Sequence, residues 1–281
     1  MKKKVVRVLV FLTLINSLNH LLAQTPNYLN ETPPKNISIK FGEKIITLKG
    51  TYHIVVAFHP NQREIYWLAA NPNPSKNSEI KYVKFLGGKW TSPKSFEHNI
   101  GYNTISMSIS PDGNKLHFTS NRPLPKNFEK QPERGQKGYY NNWFCERNGD
   151  SWDKPKLLPK KINNVMGVTE TMMHTLYADG INKSELVNGE YQAWESISQK
   201  LNIGKSQGGN PFIAPDESYI LFGRRRSSIG SDIFISFKTN ANQWSEPKNL
   251  SKAMGIETAA SQPIIIIAFL PSFRLFFKIF G

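Results

Sequence analysis

Arginine is the residue type in this chain best suited to recognising something else. Arg224, Arg225 and Arg226 run consecutively, and Arg122 stands at the comparable point of an earlier, similar stretch. A guanidinium is planar and presents paired donors, so it grips carboxylate or phosphate bidentately. Arg134, with Lys130 and Lys137, follows Arg122 in the insertion 123–138. If the loops that carry these side chains share a face, that face is basic. Arg122, Arg134, Arg224, Arg225 and Arg226 are therefore the candidate ligand- or partner-binding residues.

The other reactive residue types do not assemble into a catalytic pattern. No pair of the six histidines has the spacing of a helical zinc site. There is no Gly-x-Ser-x-Gly elbow and no catalytic Cys-His signature. Gly204-Lys205-Ser206 echoes the end of a phosphate loop, but residue 199 is Gln where the loop needs Gly. The expectation is no catalytic residue, no metal ligand and no cofactor. Cys145, the one cysteine, alternates with Trp143 on a predicted strand and reads as a buried structural thiol, with no disulfide possible within the chain. The Gly-x-x-Trp half of a sialidase Asp-box is present at Gly149–Trp152, but Arg147 and Cys145 occupy its Asp and Ser positions.

Short antiparallel strands must position these residues. Ile105, Met107 and Ile109 alternate with serines, which places the apolar side chains on one face. Pro111-Asp112-Gly113 is a turn: proline presets φ, and Asp-Gly tolerates the backbone a turn needs. Leu116 and Phe118 resume the alternation. Tyr140, Trp143 and Phe144 then lead to Asn148-Gly149, a strong hairpin signal, with Trp152 on the return strand. The unit recurs. Pro215-Asp216 repeats the first turn, and Asn240 to Pro247 repeats the second around Trp244. His59-Pro60 and Gly87-Gly88-Lys89-Trp90 mark an earlier copy. The turn prolines Pro60, Pro111 and Pro215 are spaced by 51 and 104 residues, one period and two. A weaker copy fills the gap near 165–200, with Leu176-Tyr177 followed by Asn188-Gly189 and with Tyr191 in the place of Trp. A Trp-x-x-Pro ending occurs at Trp90, Trp152 and Trp244. Four-stranded units at a period of about 40–50 residues predict a β-propeller. Pro111, Asp112, Gly113, Pro215 and Asp216 are its turn residues, and Trp90, Trp152 and Trp244 its packing residues. Trp67, Trp143 and Trp194 do not recur, and one of them could line a sugar site.

Ser-Pro-Asp-Gly-x-x-Leu-x-Phe-Thr-Ser-Asn-Arg at 110–122 resembles the WD40-like PD40 repeat of TolB-type propellers, and 210–222 resembles exported bacterial members of that group. The resemblance covers about 53–262. It implies an all-β propeller of four-stranded antiparallel blades, five or six in number with the last incomplete. It says less about function, because the group spans periplasmic proteins that bind partner proteins and domains attached to peptidases.

Residues 1–23 read as a secretory signal peptide: a basic start, then an apolar run ending at Ala23. A linker with one or two strands follows at 24–52, then blades at about 53–95, 100–158, 165–200 and 206–250, and a partial one at 257–281. The pattern breaks at that end. Ile264–Leu270 and the apolar residues after it lack the turn and the second hairpin, which reads as truncation or a disrupted frame, and the run is too short for a membrane span. The chain carries +15, of which residues 1–23 contribute four positive charges and no acid, leaving +11. In an exported protein such a charge meets anionic lipid headgroups and surface polymers and few nucleic acids, although most of the lysines read as scattered over solvated loops. The sequence thus predicts a periplasmic or extracellular, non-enzymatic propeller whose partners are envelope proteins or an anionic surface glycan. It leaves the oligomeric state open. The competing expectations are a carbohydrate- or lactone-active hydrolase or lyase at the propeller channel, and a truncated fragment with no function of its own.

Overall fold

The structure is a computed structural model, and it describes residues 42, 45–46, 50–73, 76–126, 139–163, 165–203, 208–225, 231–240 and 243–253. The expected signal peptide, most of the segment 24–52, residues 127–138 of the insertion and the expected partial blade at 257–281 lie outside these residues.

Four antiparallel sheets follow one another along the chain. The first holds β1 (Tyr52–Phe58), β2 (Glu64–Ala70), β3 (Glu79–Leu86), β4 (Lys89–Trp90) and β5 (Lys94–Ser95). The second holds β6 (Thr104–Ile109), β7 (Lys115–Ser120), β8 (Asn141–Asn148), β9 (Ser151–Trp152) and β10 (Lys156–Leu157). The third holds β11 (Thr169–Glu170), β12 (Leu176–Ala178) and β13 (Asn182–Ser184), then a hairpin of β14 (Leu186–Val187) and β15 (Glu190–Tyr191), and closes with β16 (Glu195–Ser196). The fourth holds β17 (Gly208–Ile213), β18 (Tyr219–Arg225), β19 (Ser231–Asn240), β20 (Gln243–Trp244) and β21 (Lys248–Asn249).

The first strands are neighbours in chain order: β1 packs on β6, β6 on β11, and β11 on β17. Four blades therefore stand side by side in a propeller arrangement among the described residues, and the expected partial blade at 257–281 lies outside them. The outermost strand of the first, second and fourth blades is in two short pieces, both paired with the third strand. Pro93, Pro155 and Pro247 fall in the breaks. Proline cannot donate to a ladder, so it interrupts an outer edge where it does least harm. The Trp-x-x-Pro signature is this bent edge.

Each inner strand buries both faces. Tyr66 and Leu68 of β2 join the core shared with the second blade, while Ile65, Trp67 and Ala69 join a separate core on the other side. Tyr177 of β12 faces the fourth blade, and Leu176 and Ala178 face the second. Such strands read as apolar runs because a neighbouring blade lies on either side. The packing narrows one expectation: Trp67 is 0% exposed and Trp143 4% exposed, so neither can line a sugar site, while Trp194 is half-buried. The weak third copy is built from shorter strands than the others. Its third strand is β13, and Leu186-Val187 belongs to the projecting hairpin.

Candidate binding face

The chain enters the second blade through a one-turn 3-10 helix at Glu97–Asn99. Asn99 is buried and ties this crossing down. Its Oδ1 accepts from Ile80 N at 2.5 Å, and its Nδ2 donates to Tyr102 O at 3.1 Å and Thr104 Oγ1 at 2.6 Å. Asn103 continues the work: its Oδ1 accepts from Ser78 N at 2.7 Å, and its own N–H donates to Asn121 Oδ1 at 2.8 Å. The open ends of β6 and β7 are therefore fixed relative to the first blade. An asparagine amide suits this because it satisfies a backbone donor and a backbone acceptor together.

The same two asparagines orient a pair of tyrosines. Asn103 Nδ2 donates to the Tyr140 hydroxyl at 2.6 Å, and Asn121 Nδ2 to the Tyr139 hydroxyl at 2.8 Å. The two rings meet edge to face with centroids 5.0 Å apart. Arg122 follows Asn121. Its guanidinium lies 4.8 Å from the Tyr102 ring and 5.8 Å from that of Trp143, and Nη1 donates to His98 O at 3.1 Å. Aromatic faces attract a cation, and a partly desolvated one more strongly. Arg122 is half-buried and has no carboxylate partner among the described residues. A planar cation held by the Tyr102 and Trp143 rings, with no carboxylate partner among the described residues, can accept a carboxylate or a phosphate.

The other candidate arginines are placed differently. Arg224 sits at the same end of the equivalent strand two blades on, opposite Gly208 and Asp232, with its guanidinium 5.8 Å from the Phe234 ring. Arg225 pairs through its backbone with Ser231. Arg226 and Arg134 lie outside the described residues. Arg122 and Arg224 share an end of the blades, with the third blade between them, so among the described residues Arg122 lies against aromatic rings and not against another candidate arginine.

The repeat residues sit in turns and cores. Asp112 Oδ1 accepts from Ser110 Oγ at 2.5 Å and Asn114 N at 3.0 Å, and Asp216 Oδ1 accepts from Ser218 N at 3.0 Å. Partial burial pushes both carboxyls up, and these bonds more than offset it, leaving both below the ordinary value. Pro111 and Pro215 occupy the second position of turns closed by Gly113 N to Ser110 O and Glu217 N to Ala214 O. Gly113 has φ +76 and lies under the His59 ring, where a Cβ would come within 2.6 Å of an imidazole carbon. His59 Nδ1 accepts from Asn61 N, so its Nε2–H is the donor to Gly113 O at 3.0 Å. Trp152 is buried and donates from Nε1 to the Tyr66 hydroxyl, Trp90 packs on Phe85, and Trp244 packs on the third and fourth blades' core.

Sequence reasoning missed the buried glutamates at the blade junctions. Between the first and second blades, Arg147 grips Glu64 bidentately at 2.6 and 3.0 Å, and the Tyr66 hydroxyl donates to the same carboxylate at 2.6 Å. Between the second and third, Glu170 takes Lys115 Nζ at 2.8 Å, His117 Nε2 at 2.6 Å and His174 Nδ1 at 2.7 Å. At the third junction Lys238 Nζ donates to Glu217 at 2.9 Å, and Thr171 of the preceding blade lies 3.5 Å from that carboxylate. Burial pushes the Glu64 and Glu170 carboxyls up, but their cationic and hydroxyl partners hold both down at about 2. Nothing local marks these residues. Glu64 and Arg147 are 83 residues apart, and only the packing of the second blade against the first brings them together.

No protein-family model matches the chain, and no curated protein matches it. Solved structures similar in shape include TolB from Acinetobacter baumannii, 15% identical, covering 66% of this chain and 41% of that one with a TM-score of 0.42. A periplasmic gluconolactonase from Pseudomonas aeruginosa is 13% identical, with 70% and 57% covered and a TM-score of 0.43. A GH43 protein from Bacillus licheniformis is 11% identical, with 71% and 42% covered and a TM-score of 0.44. The chain spans less than two thirds of the length of each of these proteins.

Proposed function

We propose that this propeller is an exported, non-enzymatic binding module of the cell envelope. It captures an anionic group of a partner protein or surface glycan on the face that carries Arg122. One observation carries the reading: Arg122 is held rigid by two rings and a backbone carbonyl while its charge meets no carboxylate among the described residues. A cation stabilised in this way and left unpaired is worth most to a ligand that brings the anion. The three buried glutamates support the same reading, since each is already engaged at a junction between blades and acts as a staple.

A carbohydrate- or lactone-active hydrolase is the competing reading. It draws on the half-exposed His174, whose Nδ1 sits 2.7 Å from Glu170, because a carboxylate-oriented imidazole is a common general base. Lys115 shares that same carboxylate oxygen. The test is direct. The purified chain is titrated with soluble polyanions and assayed for turnover of lactones and aryl glycosides. Saturable binding that weakens in Arg122→Gln, with no turnover, is the expected result. Turnover that vanishes in His174→Ala would replace the binding reading with the hydrolase.

A further inference from the structure

We propose that the turn between β11 and β12 is a Cu(I) site, formed by the thioethers of Met172 and Met173 and by Nε2 of His174. The turns between the first and second strands of the four blades are built alike. Gln62, Gly113, His174 and Glu217 each donate their N–H to the carbonyl three residues back, with φ of +57, +76, +59 and +59. The two corner positions of the turn hold Pro60-Asn61, Pro111-Asp112 and Pro215-Asp216 in three blades, residues that favour a turn. In the third blade they hold Met172-Met173. Methionine presets no turn. Nor do these two belong to a core, since they are 55% and 75% exposed. Neither turn chemistry nor packing accounts for them.

The imidazole beside them is oriented as a ligand. His174 Nδ1 donates to the buried Glu170 carboxylate at 2.7 Å, which leaves Nε2 with its lone pair on a half-exposed ring. A carboxylate on the far nitrogen fixes such a ring and makes the near nitrogen a better donor to a metal. The main chain is held too: Met172 N–H donates to Pro215 O at 2.8 Å, and Thr171 N–H to Thr175 O at 3.0 Å. Successive Cα atoms are about 3.8 Å apart. An exposed methionine turns about three bonds, so both sulfurs can reach a metal held on Nε2. Thioether and imidazole together select Cu(I), a soft ion. Lys115 shares the Glu170 carboxylate, and a monovalent ion is repelled less there than a divalent one. Among the described residues no three His, Cys, Asp or Glu side chains are arranged to hold a metal ion, so the thioethers are what this turn adds. The turn lies beside Lys115, at the end of β7 opposite Arg122, and the site does not depend on the Arg122 face.

Competition for Cu(I) between the full chain and a chromogenic chelator, under excess reductant and without oxygen, tests this. One Cu(I) should bind per chain. Met172→Leu/Met173→Leu keeps the side-chain volume and should lose about tenfold or more in affinity, as should His174→Gln. Met166→Leu, at an isolated methionine that is 44% exposed, should stay within about twofold. The urea midpoint of the double leucine variant should match the parent's, because both side chains lie in solvent, and this separates loss of the site from loss of the fold. Unchanged affinity in the double leucine variant would overturn the site. So would equal losses in that variant and in Met166→Leu, because Cu(I) would then follow any exposed thioether. Binding abolished in Cys145→Ala and kept in the double leucine variant would also overturn it, since the metal would then sit on the buried thiol.

Discussion

Glu64 shows what a single side chain does here. Its carboxylate is nearly buried, yet it stays ionised because Arg147 approaches with both guanidinium nitrogens and Tyr66 adds a third donor. Trp152 then donates to the Tyr66 hydroxyl, so the repeat tryptophan belongs to the same network, and its ring lies 5.0 Å from the Arg147 guanidinium. A buried pair of this kind adds little beyond what well-packed apolar residues would give, but breaking one half is expensive. Glu64→Gln strands the Arg147 charge and should cost about 3 kcal/mol in chemical denaturation. The double variant Glu64→Gln/Arg147→Met should recover much of that loss. If the single variant cost no more than the double, the pair would not be coupled. The Arg122 cation differs in kind: two rings and one carbonyl hold it, and it meets no carboxylate among the described residues.

At the scale of the element, the turn between β6 and β7 joins local chemistry to packing between blades. Gly113 takes φ +76 and lies against the His59 ring, while Gly149, in the hairpin between β8 and β9, takes φ +56 in open space. Alanine at either position adopts a left-handed backbone at a cost of roughly 1–2 kcal/mol. Gly113→Ala must also displace the imidazole, and overpacking adds roughly 1–3 kcal/mol. Comparing Gly113→Ala with Gly149→Ala by urea midpoint should show the first clearly more destabilising; equal losses would mean that the two blades do not meet tightly at this turn. Such turns were legible in the sequence, since Pro-Asp-Gly, Asn-Gly and Trp-x-x-Pro each act over a few residues. The four-stranded unit followed from them. Two things were not legible. β2 buries both of its faces, so Trp67 reads as a non-recurring aromatic until a core appears behind it. Tyr139 and Tyr140 are held by asparagines 18 and 37 residues away, and no local pattern records that. Arg122 was legible as a candidate because its residue type and its place after a second strand were both visible; its aromatic bed was not.

At the scale of the molecule, the described blades meet at junctions that combine apolar cores with buried carboxylates. That combination gives its stability a definite dependence on pH. In the folded chain Glu64 and Glu170 titrate at about 2, against an ordinary glutamate value of 4.5. Their protonated forms therefore fit the unfolded chain better than the folded one. The stabilisation they supply is complete above about pH 4.5 and drains away as pH falls toward about 2. Because the two groups sit at successive junctions, acid should loosen the first–second and second–third contacts together, while the lysines and arginines keep their charge and repel. The midpoint of urea unfolding should hold steady from pH 7 to about 5 and then fall steeply. Glu170→Gln removes one titrating staple. That variant should be less stable at neutral pH and should lose less on going to pH 3, so its curve converges on the parent's in acid. A parent midpoint that stayed flat down to pH 3, or a variant that ran parallel to it, would show that these carboxylates do not hold the blades together and that the apolar cores do so alone.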